Sequence, residues 1–131
     1  MDPIVLAAAC GDGMLWVAAD EADQPVGFLV AQVLDGKFHI AELSVAAACQ
    51  RQGMGASLVE AAIWHGRDCG MRAITLSTYR DVRWNGPFYA RLGFREIDPS
   101  AAGPGHVEKQ REEAGAGHNP ARRCIMMMQL D

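Results

Sequence analysis

The feature that most constrains the fold is the stretch Leu43–Cys69, LSVAAACQRQGMGASLVEAAIWHGRDC. It begins within a segment whose apolar residues alternate, as they do in a strand. A short loop with two glycines follows, and apolar residues then recur at the spacing of one helix face. The residues of this predicted apolar face are Met54, Leu58, Val59, Ala62 and Ile63. The stretch therefore predicts a strand, a glycine loop and an amphipathic helix.

The glycine loop, Gln50–Gly55, is suited to binding an anion. The first turn of a helix has unpaired N–H groups and the positive end of the helix dipole, and glycines let a phosphate group come close. Arg51 adds a positive charge beside the loop. The alternative is an ordinary strand–turn–helix connection, in which Gly53 and Gly55 only make the turn.

Two other phosphate-binding motifs are excluded by single positions. A dinucleotide-binding GxGxxG fingerprint that starts at Gly53 needs a glycine at position 58, which is Leu58. A P-loop needs Gly-Lys-Ser/Thr, and no lysine lies near this loop.

The composition of the 131 residues predicts a single domain, residues 1–131. Half of the residues are hydrophobic, and the net charge of -4 argues against a nucleic-acid-binding protein, which would need a basic face. No segment approaches the run of about 20 apolar residues that a membrane-spanning helix needs. We therefore expect neither a nucleic acid nor a membrane as a partner.

The cysteines and histidines lack the spacing of metal sites or disulfide frameworks. There is no CxxC pair and no HExxH motif in the sequence. The cysteines are Cys10, Cys49, Cys69 and Cys124. We therefore expect reduced thiols, a cytoplasmic location and no metal ion.

The rest of the chain predicts an α/β protein with a mixed sheet. Asp35-Gly36 is a strong signal for a two-residue hairpin, so the strands on either side of it are antiparallel. Gly70 is placed as the C-cap of the amphipathic helix, and a short helix, Pro87–Leu92, ends at Gly93. The predicted strands are Met14–Ala19, Val26–Leu34, Lys37–Val45, Arg72–Ser77, Phe94–Ile97 and Arg123–Leu130.

The segment Asp98–Ala121 is predicted to be an exposed insertion before the last strand. It contains four glycines, and we expect one helix in which the charged run His106–Glu113 forms a solvated face. The methionines of the last strand are typical of core filling and not of a metal site. They are Met126, Met127 and Met128.

Two segments resemble signatures of the GCN5-related N-acetyltransferase (GNAT) superfamily. Gln50–Gly55 is similar to the acyl-CoA-binding motif Q/R-x-x-G-x-G/A, and Pro87–Phe94 is similar to the later helix, with its tyrosine and a Leu-Gly-Phe sequence. The resemblance covers roughly residues 14–131. It implies the acyl-CoA N-acyltransferase fold, an antiparallel meander followed by β-α-β-α-β and a closing strand, with acetyl-CoA as cosubstrate.

The resemblance also implies where coenzyme A binds. Its pyrophosphate would contact main-chain N–H groups of the glycine loop, and its pantetheine arm would lie between two splayed parallel strands, the strand before the loop and Ile74–Ser77. The N–H of Val45 would face the thioester oxygen. The implied cofactor-binding residues are Leu43, Ser44, Val45, Gln50, Arg51, Gln52, Gly53, Met54, Gly55, Ala56, Ser57, Asn85, Phe88 and Tyr89.

Three residues are candidates for proton transfer in such a reaction. Tyr89 matches the family tyrosine that protonates the departing thiolate, although it is also suited to packing beside Phe88. Glu42 and His39 are the candidate bases, and they alternate onto opposite strand faces unless a bulge changes the register. Glu42 is preferred because it lies nearer the thioester end, while His39 is the alternative because an imidazole is readily neutral at pH 7.

The chain departs from the family pattern at the pantetheine-binding asparagine. Many relatives have this asparagine seven residues before the tyrosine, where this chain has Val82. Asn85 lies three residues further on, and either substitutes for it or caps the helix.

The chain also departs from the family pattern at its start. The family begins with a strand and two helices that wall the amine pocket, whereas few residues precede Met14–Ala19 here. Either the first helices are reduced or absent, or the true start of the protein lies upstream. If they are reduced or absent, the pocket would be open, or closed by the Asp98–Ala121 insertion or a partner subunit. We expect an open sheet edge at Met14–Ala19, and from it a homodimer.

These features predict an N-acetyltransferase that transfers the acetyl group of acetyl-CoA to a primary amine of a small molecule or peptide, by direct attack in a ternary complex. The acidic net charge favours a cationic amine. Two alternatives stay open: an acyl-CoA-binding or sensing module without catalysis, and an interaction domain that keeps only the fold. Binding of coenzyme A and turnover of acetyl-CoA distinguish the three.

Overall fold

The computed structural model of the protein describes residues 4–10, 13–19, 22, 24–46, 53–79, 85–117 and 123–130. The strands are β1 (Ile4–Cys10), β2 (Gly13–Ala19), β3 (Pro25–Leu34), β4 (Lys37–Val45), β5 (Ala73–Tyr79), β6 (Arg95–Ile97) and β7 (Arg123–Gln129). The helices are α1 (Met54–Asp68), α2 (Asn85–Leu92), α3 (Pro99–Ala102) and α4 (Pro104–Gly115). Within the described ranges, none of these helices has the length and apolar character needed to cross a membrane.

The sheet combines an antiparallel meander with one parallel junction. Across the described residues its seven strands lie in the order β1-β2-β3-β4-β5-β7-β6. Strands β1 to β4 pair antiparallel in sequence, β4 and β5 pair in parallel, and β7 pairs antiparallel with both β5 and β6. Helix α1 makes the long crossover that a parallel pair requires. The predicted fold class, a meander followed by β-α-β-α-β and a closing strand, is confirmed.

Local sequence signals place most elements correctly. Each predicted strand, and the short helix before Gly93, begins and ends within two residues of the observed element. The hairpin between β3 and β4 turns at Asp35 (φ 53°) and Gly36 (φ 72°). Positive φ at both central residues is what a type I′ turn requires, and its twist matches that of the flanking strands.

Strand β1 is the element that the sequence analysis missed. It pairs with β2 over its whole length, from Ile4 opposite Ala19 to Cys10 opposite Gly13. Only residues 11 and 12 join the two strands, so the two helices that the family resemblance implies have no room at this position. The open edge expected at Met14–Ala19 is wrong because β1 covers it. The homodimer stays a prediction, without that edge as its basis.

One face of the sheet carries the apolar core. Helix α1 packs on this face through the residues that the helical pattern predicted, with Gly66 one turn further on. Leu29, Ile74 and Leu58 meet there with no exposed surface. Helix α2 joins the same core through Tyr89. The core therefore holds α1 and α2 together on one side of the sheet.

Helix α4 does not have the freely solvated face expected for the 98–121 insertion. The predicted helix is present, and Glu108 and Arg111 on it are exposed. However, His106 is only 1% exposed, and Glu113 pairs with Arg123 of β7 at 2.9 Å. Helix α4 is therefore held by polar contacts to the sheet.

The start of α4 is fixed by the hairpin between β3 and β4. The carboxylate of Asp35 accepts hydrogen bonds from the main-chain N–H groups of Gly105 at 3.0 Å and His106 at 2.8 Å. It therefore acts as a helix cap that comes from a distant part of the chain. Lys37 donates to the carbonyl of Ala102 at 2.9 Å and ties α3 to the same hairpin.

We expect Gly27→Ala to lower the free energy of unfolding by about 1–3 kcal/mol, the usual cost of overpacking. A Cβ at this position would lie 2.9 Å from the main-chain oxygen of Ser44 on β4, which has no freedom to move away. Urea denaturation measures the change. Gly115→Ala is the control, because a Cβ there meets nothing within 4 Å; a Gly27→Ala protein as stable as this control would contradict the prediction.

Candidate active site

The two parallel strands at the centre of the sheet separate after a short contact. Strands β4 and β5 pair at Phe38–Ile74, His39–Thr75 and Ile40–Leu76, with no further pair within the described ranges. Beyond this point β4 stays paired with β3, and β5 with β7, so both strands continue without each other. We call the resulting gap, between Ala41–Val45 and Ser77–Tyr79, the fork.

A bulge in β4 lies at the start of the fork. Ala31 of β3 pairs with Ile40 and Val30 pairs with Glu42, which leaves Ala41 as an extra residue. Because one extra residue exchanges the two faces of a strand, Glu42 lies on the same face as His39. The sequence predicted opposite faces for these two side chains unless a bulge changed the register. The bulge is present, so the two side chains lie on one face.

The two candidate bases differ in their surroundings. Glu42 is exposed on the part of β4 that borders the fork. His39 is 2% exposed, and its Nδ1 lies 2.9 Å from the hydroxyl of Thr75. Burial, and then the charges of His106, Lys109 and Arg123, lower the pKa of His39 to about 3. The imidazole is therefore neutral at physiological pH.

The glycine loop ends in the geometry that anion binding requires. Gly53 has φ 82°, its carbonyl accepts the first helical hydrogen bond from Ser57 at 3.0 Å, and among the described residues no side chain caps the start of α1. No acidic residue lies in the first turn of α1 to oppose an anion. The first-turn N–H groups are thus suited to a phosphate. Gln50, Arg51 and Gln52 lie outside the described residues.

Gly55 brings three elements of the site together. A Cβ on Gly55 would lie 3.5 Å from the ring of Phe88 on α2 and 3.8 Å from the side chain of Val45 on β4. The end of β4, the first turn of α1 and the face of α2 therefore meet at one point beside the fork.

Tyr89 lies in this region with its phenol largely buried. It is 8% exposed and packs against Phe88 and Phe94, with ring centroids 5.0 and 5.9 Å apart. Burial raises the pKa of Tyr89 to about 12. The phenol consequently keeps its proton at neutral pH, as a proton donor must, and its packing with Phe88 does not conflict with that role.

The remaining predicted cofactor residues lie along the same line. Leu43 packs partly against the core, Ser44 is exposed, and Ala56 is half-buried. Met54 is buried in the core, so only its main chain can face a ligand. Asn85 is the first residue of α2, and its side chain lies outside the described part of the structure. No cluster of metal-ligating side chains occurs among the described residues.

Comparison with known proteins identifies the family. Residues 11–96 match the acetyltransferase (GNAT) domain. The chain belongs to the GNAT acetyltransferase family.

Solved structures support the GNAT fold at low sequence identity. A GNAT family acetyltransferase from Elizabethkingia anophelis with acetyl-CoA bound is 15% identical, with a TM-score of 0.77, and the match covers 98% of this chain and 99% of that one. The ribosomal-protein-S18-alanine N-acetyltransferase from Escherichia coli is 18% identical, with a TM-score of 0.69 and coverage of 94% and 72%. The PaiA N-acetyltransferase from Thermoplasma acidophilum, in complex with coenzyme A, is 16% identical, with a TM-score of 0.68 and coverage of 90% and 61%.

The structure adds three residues to the site that sequence reasoning did not identify. Thr75, His106 and Asp35 form a chain of hydrogen bonds with His39. The sequence analysis interpreted Asp35 only as a turn residue and His106 as part of a solvated run. The spacing of seven residues between His106 and Glu113 was an available signal, because it places both on one helix face.

We expect Gly53→Glu to abolish binding of coenzyme A while the protein stays folded. The new carboxylate would repel a pyrophosphate at the first turn of α1, whereas a Cβ there meets nothing within 4 Å. Positive φ costs an L-residue about 1–2 kcal/mol. Calorimetry with coenzyme A measures the loss of binding.

Gly70→Glu is the matched control for this prediction. Gly70 lies just beyond the other end of α1, with φ 77° and equally open space, so the backbone strain is similar. It should retain the wild-type affinity. Equal binding by Gly53→Glu and Gly70→Glu would show that the first turn of α1 does not hold the cofactor.

Proposed function

We propose that this chain is an acetyl-CoA-dependent N-acetyltransferase that acetylates a primary amine of a small molecule or peptide. The observation that carries the proposal is the fork, in which β4 and β5 separate beside the first turn of α1. An extended pantetheine arm fits such a gap, with its pyrophosphate at the helix N-terminus. The Elizabethkingia anophelis relative, which has acetyl-CoA bound, supports this cosubstrate.

The proposed cofactor site follows the line from β4 to α2. Leu43, Ser44 and Val45 border the pantetheine arm, and the loop residues Gln50–Ser57 surround the pyrophosphate. Phe88 and Asn85 of α2 complete the site on the other side. Coenzyme A is used as a cosubstrate in this proposal, without a metal ion.

The proposed acceptor is a cationic primary amine. Glu42 is exposed on the same face of β4 as His39 and can attract an ammonium group to the fork. His39 then removes a proton, because its tautomer can present a lone pair at Nε2. Relatives that acetylate amines, such as the ribosomal-protein-S18-alanine N-acetyltransferase, support an amine as acceptor.

The proposed chemistry is direct attack within a ternary complex. The neutral amine nitrogen bonds to the thioester carbonyl carbon, and the carbon–sulfur bond then breaks. The departing thiolate takes the phenolic proton of Tyr89, and the second proton, which the nitrogen loses as the amide forms, restores the phenol. Fixed positions of amine and thioester supply most of the rate enhancement. The products are the N-acetylated amine and free coenzyme A.

The acceptor side of the site is bounded differently from the family pattern. No helices fit between β1 and β2, and helix α4 covers the sheet face on which His39 lies. We propose that α4 forms the acceptor wall and that the second subunit of a homodimer adds to it. Measuring the mass in solution tests whether the homodimer exists.

A second candidate function is an acyl-CoA-binding module without catalysis. The direct connection of β1 to β2, which leaves out the usual amine wall, favours this alternative. The retained Tyr89, Glu42 and His39 favour an enzyme. Calorimetry with acetyl-CoA, followed by mass spectrometry with a panel of polyamines, aminoglycosides and peptide N-termini, separates the two: binding with turnover is expected, and binding without turnover supports the module.

We expect Tyr89→Phe to reduce kcat by about 10²–10⁴-fold, the usual contribution of a general acid. The substitution removes only the hydroxyl, so packing with Phe88 and Phe94 and binding of acetyl-CoA should persist. Steady-state kinetics by mass spectrometry and calorimetry measure these quantities. An unchanged kcat would contradict the proposed role of Tyr89.

We expect Glu42→Gln to raise KM for a cationic amine, with a smaller effect on kcat. The substitution keeps the shape of an exposed side chain and removes its negative charge. The matched substrate control is a primary amine of similar size that has no positive charge besides its own ammonium group. A loss confined to kcat, with KM unchanged, would contradict the role in attracting the ammonium group.

A further inference from the structure

Four side chains from four elements form one continuous chain of hydrogen bonds. Oδ2 of Asp35 lies 2.7 Å from Nδ1 of His106, and Nε2 of His106 lies 2.7 Å from the hydroxyl oxygen of Thr75. The same hydroxyl oxygen lies 2.9 Å from Nδ1 of His39. The two imidazole rings are edge to face, with centroids 5.1 Å apart. A single hydroxyl group therefore connects them.

This chain of hydrogen bonds is buried, and its last atom has no hydrogen-bond partner among the described residues. His39 is 2% exposed, His106 1% and Thr75 0%. Nε2 of His39 is buried and has no hydrogen-bond partner within the described part of the chain. An unpaired buried polar group costs about 1–3 kcal/mol, so a structure that retains one calls for an explanation.

The hydrogen bonds fix where each proton lies. The Asp35 carboxylate can only accept, so Nδ1 of His106 carries a proton. When His106 is neutral, its Nε2 accepts from the Thr75 hydroxyl, and that oxygen accepts from Nδ1 of His39. Nε2 of His39 then has a free lone pair. The chain thus selects the tautomer of His39 that a base needs.

We propose that Asp35, His106, Thr75 and His39 form a proton relay that takes up the proton of the acceptor amine at Nε2 of His39. The relay transfers the positive charge to His106, beside Asp35. This inference rests on the proposed function, because it assigns a path to the proton that acetyl transfer releases.

The step conserves atoms and charge. The amine N–H bond breaks, and its proton bonds to Nε2 of His39, directly or through one water molecule. The proton on Nδ1 of His39 moves to the Thr75 oxygen, whose own proton moves to Nε2 of His106. His39 ends neutral in its other tautomer, and His106 ends as an imidazolium paired with Asp35.

The relay explains how a buried imidazole can serve as a base. A charge that remained on His39 would be buried without a partner, which is unfavourable. A charge on His106 faces a carboxylate, and the hydrogen bond from His106 lowers the pKa of Asp35, so that this carboxylate stays ionised at neutral pH. The side chain of Asp35 is 16% exposed, which gives the proton a route to solvent.

The other charged groups around the relay also disfavour a positive charge on His39. Lys109 of α4 and Arg123 of β7 act on His39 and disfavour a charge there. Glu113 is paired with Arg123, and Lys37 donates to main-chain oxygens beside Asp35. Glu42 is exposed at the fork. His39 is the catalytic residue in this arrangement, and the other three relay members are positioning residues.

Nuclear magnetic resonance of the histidine ring nitrogens tests the relay without any substrate. On lowering the pH, His106 should become an imidazolium while His39 changes from the Nδ1–H to the Nε2–H tautomer at the same midpoint. The two rings then share one titration. In Thr75→Val the tautomer change of His39 should be lost, and in Thr75→Ser it should be restored.

The pH dependence of kcat tests the relay in the reaction. The protonated relay cannot accept a proton, so kcat should fall on the acid side with the midpoint found by resonance. Asp35→Asn removes the negative charge 2.7 Å from Nδ1 of His106, so this acid limb should move to lower pH. Asparagine keeps one of the two acceptor oxygens at the start of α4 and tolerates the positive φ of 53°.

The combination of two variants gives the sharpest test. In a Thr75→Val background, Asp35→Asn should no longer move the acid limb, because the hydroxyl link is absent. In a Thr75→Ser background, which keeps the hydroxyl, Asp35→Asn should still move the acid limb. A merely structural role for Asp35 would change stability but leave the acid limb in place.

The outcomes separate the relay from the proposed function. Independent titration of the two histidines, or a coupled titration that Thr75→Val leaves intact, would overturn the relay. If the two histidines titrate together but Asp35→Asn does not move the acid limb of kcat, the relay exists but takes no part in catalysis. Absence of amine acetylation by the wild type would overturn the proposed function, and the resonance experiment alone would then decide whether the relay exists.

Discussion

The site depends on one interruption, the end of the pairing between β4 and β5. Each strand keeps its outer neighbour, so the sheet stays intact on both sides, while among the described residues the two inner edges no longer pair with each other beyond Ile40 and Leu76. Main-chain N–H and C=O groups on such edges need hydrogen bonds. An extended ligand with amide groups can supply them, as an added strand does at a sheet edge. The gap and the ligand therefore have matching chemistry.

The two faces of the sheet contribute different side chains beside the fork. The face under α1 and α2 is apolar and brings the first turn of α1, the end of β4 and Phe88 to one side of the fork. The face under α4 carries a polar chain that begins at Asp35 and ends at His39. The bulge at Ala41 connects the two arrangements, because it turns Glu42 to the polar face and keeps Leu43 on the apolar one.

The sequence predicted what local periodicity and turn chemistry determine. The apolar face of α1 and the hairpin at Asp35-Gly36 were found because their signals lie within a few residues of each other. Strand β1 was missed because its segment, IVLAAAC, has no alternation of apolar and polar residues. The bulge was left open because an extra alanine in a strand looks like any other alanine.

The polar chain was beyond sequence reasoning for a different reason. His106 and Asp35 are 71 positions apart, and His39 and Thr75 are 36 apart. His39 and Thr75 are brought together by the register of the parallel pair β4–β5, whereas the packing of α4 across the sheet brings His106 to both Thr75 and Asp35. No local pattern in the sequence states that register, and no pattern within α4 states which strands it will cover.

The same separations give the molecule an order of assembly. The meander from β1 to β4 uses contacts between neighbours in sequence, whereas α3 and the start of α4 attach to the β3–β4 hairpin through contacts that close loops of 65 to 71 positions. Loop closure loses entropy before the contact compensates for it. Helix α4 is therefore the natural part to detach first when the protein opens locally. A segment that docks late and independently can also be exchanged during evolution, so the proposed acceptor wall can change while the proposed cofactor half is inherited intact.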